Sequence, residues 1–161
     1  MVARKAIHTD IDKVLKIYER ARQYMADTGN PTQWADFYPP EELVMKDFDG
    51  GNLYVLEEDG ELCGVFAFFP DGDPVYQSIN GAWLNSLPHG AIHRIAASGT
   101  KKGVLSACVD YCLTQTNNLK IDTHKSNKVM QNALTKCGFV YCGTVTVPYL
   151  NECIAFQLYR E

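Results

Sequence analysis

The residues whose types and spacing best fit a chemical role lie in a short loop, Ala96–Gly103, which reads Ala-Ala-Ser-Gly-Thr-Lys-Lys-Gly. This loop contains consecutive backbone N–H groups, two lysines (Lys101 and Lys102) and no acidic residue before a helix predicted to begin near its final glycine. Backbone amides at the start of a helix attract anions, because their free N–H groups carry partial positive charge. The sequence therefore predicts an anion-binding loop.

Two common phosphate-binding motifs do not fit this loop. The phosphate loop of nucleotide hydrolases requires G-x-x-x-x-G-K-[ST], and the run from Gly99 to Val104 lacks both that spacing and the terminal lysine. The dinucleotide fingerprint G-x-G-x-x-G is also absent, and the predicted order of elements is not that of a doubly wound sheet. Both of these nucleotide-binding classes are therefore excluded.

The segments on either side of the loop predict the elements that must position it. Ala91–Ala96 is predicted as a strand, and apolar residues at helical spacing from Val104 to Cys112 predict the helix that follows. Alternating residues 119–124 predict the next strand, and Ser126 or Asn127 can cap a last helix. A strand, a crossover helix and a second strand favour parallel pairing in one sheet.

The rest of the chain supplies further helices and strands. The run from Thr9 to Asp12 is a capping-box pattern ahead of an amphipathic first helix, and Pro40 is well placed at the start of a second. Asp59-Gly60 lies between two apolar runs and predicts an antiparallel hairpin. The resulting order, β-α-α-β-β-β-α-β-α-β-β, predicts a mixed sheet with helices on its faces, an α/β (α+β) architecture.

Composition limits the number of domains and the class of partner. A chain of 161 residues with 46% hydrophobic residues fits one domain, spanning 1–161. The net charge is −4 and no basic stripe alternates with aromatic residues, so we expect no nucleic-acid partner. No apolar run approaches the roughly 18 residues that a membrane helix needs, and the N-terminus has no secretory pattern. We therefore predict a cytoplasmic protein without a membrane partner.

Six cysteines raise the question of a metal site or a disulfide framework. The sequence has no CxxC motif, and Cys108 and Cys112 are one turn apart on a predicted helix. Buried thiols that behave as small apolar side chains fit this distribution better than zinc ligands do. We therefore predict no metal site.

The chain resembles the GNAT superfamily of acetyl-coenzyme A-dependent N-acetyltransferases over essentially its full length. That family's coenzyme loop reads R/Q-x-x-G-x-G/A, and an ungapped match places it at Thr100–Leu105, where only Gly103 is retained. A second family segment, N-x-x-A-x-x-L-Y-x-x-x-G-F, is similar to the run from Asn127 to Phe139. The resemblance implies a GNAT-like, mostly antiparallel sheet of six to seven strands, with a central parallel pair and about four helices.

The same resemblance implies acetyl-coenzyme A as co-substrate and direct transfer of its acetyl group to a primary amine of a small molecule or a protein. The side chain of Asn127 is expected to contact the pantetheine arm, and the strand backbone to pair with that arm like an added strand. The residues expected to bind the coenzyme are Ile95, Ala96, Ala97, Thr100, Lys101, Lys102, Gly103, Val104, Leu105 and Asn127.

Acetyl transfer to an amine also needs an acid to meet the departing thiolate. The resemblance predicts a tyrosine acid on the last helix, but that position is Leu134. The sequence offers three other candidates for this acid: Tyr141, just beyond this helix, Ser126 and Cys137. Of these we select Tyr141 for the predicted site.

A base must remove a proton from the amine, and an unperturbed histidine pKa of about 6.5 suits this role near neutral pH. His93 lies on the central predicted strand, His89 precedes that strand and His124 ends the neighbouring one. His93 alternates with Arg94, so one of the two should face the cleft if the strand is regular. We predict His93 as the catalytic base.

Two irregular segments rich in aromatic residues, Thr32–Pro39 and Tyr76–Pro88, are expected to form the acceptor pocket. The residues predicted to line it are Trp34, Tyr38, Tyr76 and Trp83. The same aromatic side chains could instead only anchor these loops to the core. Aromatic walls favour an acceptor with an apolar or cationic portion.

Two other interpretations stay open. A GNAT-like module that binds coenzyme A or a protein partner without catalysis would account for Leu134 and for the missing glycines of the loop. The C-terminal strands from Phe139 to Tyr159 could form a homodimer, which is compatible with either function.

Overall fold

Eight strands and four α-helices alternate along the chain in the computed structural model, which describes residues 1–161. The strands are β1 (Val2–Lys5), β2 (Leu53–Glu58), β3 (Glu61–Phe69), β4 (Asn80–Gly81), β5 (Gly90–Ala97), β6 (Asn118–Thr123), β7 (Val140–Val147) and β8 (Asn151–Tyr159). The helices are α1 (Ile11–Asp27), α2 (Glu41–Asp49), α3 (Val104–Cys112) and α4 (Lys128–Lys136), with short 3₁₀ turns at His8–Asp10 and Pro74–Gln77.

All eight strands form one sheet in the order β1-β2-β3-β5-β6-β8-β7-β4. Only β5 and β6 pair in parallel, because α3 carries the chain back across the sheet between them. The predicted mixed sheet with a central parallel pair is therefore confirmed. The structure has one strand more than the six to seven predicted. This strand is β4, whose two residues are too few to produce a recognisable pattern in the sequence.

Local residue choices explain the hairpin and the cap that the sequence predicts. Asp59 (φ 54°) and Gly60 (φ 76°) both adopt positive φ, as a two-residue turn matching the strand twist requires, so the predicted β2–β3 hairpin is confirmed. Asn127 caps α4 by accepting a hydrogen bond from the Met130 amide at 3.0 Å. The start of α1 differs from the prediction: the Asp10 carboxylate accepts from the Ile7 amide, since a 3₁₀ turn precedes the helix.

The helices lie on both faces of the sheet. Along β2, Leu53 and Val55 pack in the cluster under α1 and α2, whereas Tyr54 and Leu56 pack in the cluster under α3 and on the α4 residue Leu134. The long connection between β3 and β5 packs in a third cluster with β7 and β8. None of the four helices has both the length and the apolar character that crossing a membrane requires.

The central parallel strands separate almost as soon as they pair. Their register contains only two pairs, Gly90 with Leu119 and Ala91 with Lys120. On its other side, β5 has a bulge against β3, and the bulged residue Arg94 has a φ of 52°. The part of β5 that follows therefore has no strand partner on the β6 side, and a wedge-shaped opening forms inside the sheet.

Buried polar contacts hold the bulge in place. The Arg94 guanidinium makes two hydrogen bonds to the Asp47 carboxylate, 2.7 Å from Nε and 2.8 Å from Nη2, and a third at 3.1 Å from Nη1 to the Tyr38 hydroxyl. The Arg94 carbonyl accepts a hydrogen bond of 2.8 Å from the Tyr18 hydroxyl. Both charged side chains are nearly inaccessible, so each depends on the other for its charge compensation.

Replacing Asp47 with alanine should destabilise the protein strongly, because it leaves the Arg94 guanidinium buried without its carboxylate. We expect the free energy of unfolding to fall by about 3 to 5 kcal/mol. Asp49→Ala is the matched control, since Asp49 is exposed in the same helix, and should change this quantity by less than about 0.5 kcal/mol. Urea denaturation followed by circular dichroism measures both variants. Equal stability of the two would contradict the role assigned to the ion pair.

Candidate active site

The opening between β5 and β6 contains a cavity of about 40 Å³. Residues 92–95 of β5 and 121–123 of β6 line its sides, and Trp34 and Tyr38 from the α1–α2 connection cover it. His93 and Arg94 both line the cavity, although a regular strand would turn only one of them towards it. The positive φ of Arg94 explains the difference, since it interrupts the alternation of the strand.

A larger surface groove of about 1390 Å³ lies beside this cavity. It runs between α2, the turn after β3 and the β7–β8 connection, and Asp73, Phe69 and Tyr149 are among its lining residues. Arg94 and Tyr38 line both the groove and the inner cavity, so they separate the two. A molecule bound in the groove would therefore approach the gap between β5 and β6.

His93 lies between two carboxylates. Its Nε2 is 2.8 Å from Oδ2 of Asp73, and its Nδ1 is 3.9 Å from Oδ2 of Asp122. The Tyr76 ring stacks on the imidazole with 5.6 Å between ring centroids, and the Tyr76 hydroxyl donates a hydrogen bond of 2.6 Å to Asp122. The hydrogen bond with His93 lowers the pKa of Asp73 below its usual value, which keeps this group a carboxylate near neutral pH.

The other two candidate histidines do not line the cavity. Burial lowers the pKa of His89 to about 4, and its Nε2 has no hydrogen-bond partner. His124 lies 2.7 Å from the Ser126 hydroxyl through its Nδ1, at the junction of β6 and α4. Of the three, only His93 is positioned to meet a molecule that enters the opening.

The structure divides the four predicted pocket aromatics into two pairs. Trp34 and Tyr38 line the inner cavity, as expected for a substrate pocket. Tyr76 and Trp83, also predicted to line the acceptor pocket, line neither the cavity nor the groove. Tyr76 is buried behind His93, and the Trp83 indole donates a hydrogen bond of 2.9 Å to the Tyr76 carbonyl. The packing of Tyr76 and Trp83 therefore helps to hold His93 in position.

The predicted anion loop has the backbone geometry that its role requires. Gly103 adopts a φ of 87° immediately before α3, and the first helical hydrogen bond runs from the Ala107 amide to its carbonyl. The amides of residues 101–106 make no hydrogen bond within the protein. Leu105, where the family pattern has a small residue, packs against the core under the sheet. The substitution therefore leaves the amides available to an anion.

The charges around this loop differ from the sequence prediction. Lys101 makes an ion pair of 3.3 Å with Glu58 of the β2–β3 hairpin, so part of its charge is compensated. Lys102 makes no ion pair within 4.0 Å. The Arg20 guanidinium of α1 lies directly against Gly99, in the space that a side chain there would occupy. Sequence spacing gives no sign of Arg20, because about 80 residues separate it from the loop.

Two residues predicted to contact pantetheine, Asn127 and Ile95, both line the cavity between β5 and β6. The Asn127 side-chain oxygen is used as the α4 cap, and its nitrogen donates a hydrogen bond of 3.0 Å to Gln33 in the α1–α2 connection. Ala96 and Ala97 pair with β3, Ile95 lies in the bulge, and none of the three pairs with β6. The strand edge facing β6 is therefore free to accept an extended molecule.

The sequence model of the acetyltransferase (GNAT) family matches residues 12–139 of this chain. That range includes the bulged strand, the loop before α3 and the capping residue of α4. The chain belongs to the GNAT acetyltransferase family.

Solved structures agree with this assignment. A GNAT acetyltransferase from Streptococcus agalactiae is 30% identical, with a TM-score of 0.88 and coverage of 99% of this chain and 95% of that one. A candidate acetyltransferase from Staphylococcus aureus is 25% identical, with a TM-score of 0.71 and coverage of 99% of each chain. The protein yncA of Salmonella typhimurium, solved with its cofactor acetyl-CoA, is 15% identical, with a TM-score of 0.64 and coverage of 99% and 94%. No curated protein sequence matches the chain.

The GNAT tyrosine position is filled by a core residue. Leu134 is fully buried under the sheet, and its proposed replacement Tyr141 is 58% exposed and packs on Phe156. Tyr141 lies on β7, which β6 and β8 separate from β5, and it lines neither the cavity nor the groove. The structure therefore does not bring Tyr141 together with His93, the other predicted catalytic residue.

The two remaining sequence candidates for the acid are also engaged elsewhere. Ser126 donates a hydrogen bond of 2.6 Å to the side chain of Asn30. Cys137 is the C-cap residue of α4, and burial raises the pKa of its thiol. Neither side chain lines the inner cavity.

Proposed function

We propose that this GNAT protein transfers an acetyl group from acetyl-coenzyme A directly to a primary amine of a small molecule or a protein. The observation that carries this proposal is the position of His93, held between two carboxylates inside the opening of the sheet. A catalytic base needs to be within reach of the amine proton, and the cavity provides that access.

The fit of the coenzyme rests on this chain's own groups. The amides of residues 101–106 and the charges of Lys102 and Arg20 suit the pyrophosphate, while the free edge of β5 suits the pantetheine amides. Asn127 can contact the arm if Gln33 releases it. When bound, the coenzyme supplies an acetyl thioester, whose C–S bond breaks as the amine nitrogen forms the new C–N bond.

His93 would remove the proton that makes the amine unreactive. Amines arrive mostly protonated near neutral pH, because an alkylammonium such as that of lysine has a pKa of about 10.4. A positioned base that takes this proton contributes about 100- to 10,000-fold in rate. Asp73, which contacts Nε2 of His93, lines the groove from which we expect an acceptor to enter, and His93 itself lines the inner cavity.

Tyr38 has the hydroxyl that is best placed to donate a proton to the departing thiolate. Its oxygen accepts a hydrogen bond from Arg94, and its own hydrogen has no acceptor in the structure. Burial raises the pKa of Tyr38, which keeps the hydroxyl protonated. This residue lines both the cavity and the groove, so it can act as the acid that protonates the departing thiolate. In GNAT enzymes a tyrosine at the position of Leu134 has this role.

Calorimetric titration with acetyl-coenzyme A, together with release of free thiol in the presence of amines, tests the proposal. We expect binding at micromolar ligand, and thiol release with at least one of three probes: tyramine, 1,4-diaminobutane or a peptide with a free N-terminus. Absence of binding at high micromolar ligand would exclude the proposed function. Binding without thiol release over a wider amine panel would favour the non-catalytic module that Leu134 suggests.

Substitution of His93 by alanine should lower kcat by about 100-fold, because the base is lost, and should leave coenzyme affinity within about twofold of wild type. His8→Ala is the control, since His8 is exposed on the turn before α1 and far along the chain from the site. Steady-state kinetics and calorimetry on both variants measure the two effects. A His93→Ala enzyme with wild-type kcat would remove this residue from the mechanism.

Replacing Arg20 with glutamine should weaken acetyl-coenzyme A binding by roughly threefold to tenfold, because one cation near the phosphates is lost. Lys13→Gln, an exposed change on the same helix, is the control and should have no effect. Calorimetry at two salt concentrations measures the difference, which should shrink at high salt because exposed charges are screened. Identical dissociation constants for the two variants would refute the role of Arg20.

A further inference from the structure

We propose that His93 and Asp122 hold the acceptor nitrogen jointly, and that Asp73 prepares His93 for this by fixing which ring nitrogen carries the hydrogen. In this arrangement His93 and Asp122 are catalytic residues, whereas Asp73 and Tyr76 are positioning residues. The inference rests on the proposed amine acetylation and adds the three residues that act with His93.

The contact with Asp73 determines the tautomer of His93. Asp73 is a carboxylate, which can only accept hydrogen bonds, and its Oδ1 already accepts from the Val75 amide at 2.9 Å. Its Oδ2 lies 2.8 Å from His93 Nε2, so this nitrogen must carry a hydrogen. In a neutral imidazole the lone pair is then on Nδ1. The stacked Tyr76 ring limits rotation of the imidazole away from this orientation.

The lone pair on Nδ1 faces a second acceptor across a gap of the right size. Nδ1 and Asp122 Oδ2 are 3.9 Å apart, too far for a hydrogen bond between them. One nitrogen atom can lie about 2.9 Å from both, because twice that distance exceeds the gap. Both side chains line the cavity between β5 and β6. Two acceptors that share such a point suit a group with at least two N–H donors, as an ammonium has.

Asp122 is held in its orientation and can still accept a further hydrogen bond. The Tyr76 hydroxyl donates to its Oδ2 at 2.6 Å, and a carboxylate has further lone pairs for another donor. The Asp122 side chain is only 6% exposed, so its negative charge is weakly screened by water. A buried carboxylate whose partners, the Tyr76 hydroxyl and the Cys153 thiol, are both neutral is well suited to bind a cation.

The proton transfer follows directly from this placement. One N–H of the bound ammonium donates to Asp122 and a second points to His93 Nδ1. The second N–H bond breaks, its electron pair stays on the amine nitrogen, and the lone pair of Nδ1 forms the new bond to the proton. The imidazolium that results has a carboxylate beside each ring nitrogen, which stabilises its charge. The freed electron pair on the amine is the nucleophile for acetyl transfer.

Two isosteric substitutions separate the roles of the carboxylates in kinetics. We expect Asp73→Asn to lower kcat about 100-fold with little change in the KM of the amine, because the tautomer is no longer fixed. Asp122→Asn should raise the KM of the amine at least about tenfold, because the ammonium loses a charged partner. Asp71→Asn is the control: Asp71 is exposed in the same turn and should behave like wild type. The probe is whichever of the three amines the wild-type enzyme acetylates.

Histidine-labelled protein gives a readout that does not depend on turnover. Long-range ¹H–¹⁵N spectra should show His93 with its hydrogen on Nε2 in the wild type and a different pattern in Asp73→Asn. Tyr76→Phe provides a second test that conserves packing: it should raise the KM of the amine several-fold and leave the His93 tautomer unchanged. Circular dichroism checks that each variant is folded.

The outcomes distinguish this inference from the proposed function. If the wild type acetylates an amine but Asp73→Asn and Asp122→Asn match Asp71→Asn in kcat and KM, the inference is overturned and the function stands. A hydrogen on Nδ1 of neutral wild-type His93 would also overturn it. If the wild type acetylates no amine, the proposed function fails, and the spectra still decide whether Asp73 fixes the tautomer.

Discussion

The early separation of β5 from β6 is the constraint on which the remaining structure of the site depends. Their pairing ends after two residues, at Ala91 and Lys120, and β5 is bulged at Arg94 shortly beyond that point. The bulge is maintained by contacts from three other segments: Asp47 of α2, Tyr38 of the α1–α2 connection and Tyr18 of α1. A buried ion pair thus holds the bulge in place, and His93 and the free edge of β5 lie at the opening that begins beside it.

The polar cluster around His93 lies in low-dielectric surroundings, like the Arg94–Asp47 ion pair. Asp73 and Tyr76 come from the connection after β3, His93 from β5 and Asp122 from β6, and almost all of their polar atoms have partners. In such surroundings hydrogen bonds and charge interactions are stronger than in water. The remaining acceptor capacity is therefore concentrated at one point, between Nδ1 of His93 and Asp122.

The loop before α3 shows that a sequence can depart from the family motif and still keep free backbone amides at the start of a helix. Hydrogen-bond donors to phosphate come from the backbone, so the departures from the family pattern at Thr100 and Leu105 do not remove them. Leu105 packs into the core rather than over the loop, and Arg20 brings a cation from α1 to the side of Gly99. The position of the family's tyrosine differs more, because Leu134 is a core residue, whereas Tyr38 lines the cavity.

The sequence by itself determined the order of all elements except β4, the β2–β3 hairpin, the loop before α3 and a cap for α4 at Ser126 or Asn127, since these depend on short-range sterics and periodicity. It also indicated His93, through its place on the central strand. Only the tertiary structure decided which groups meet His93: Asp73 and Asp122 are 20 and 29 residues away and approach it because the sheet opens there. The same topology placed Tyr141 two strands beyond β6 and Arg20 beside Gly99. These distances between side chains cannot be read from spacing along the chain, because they are set by how the strands are ordered and where their pairing ends.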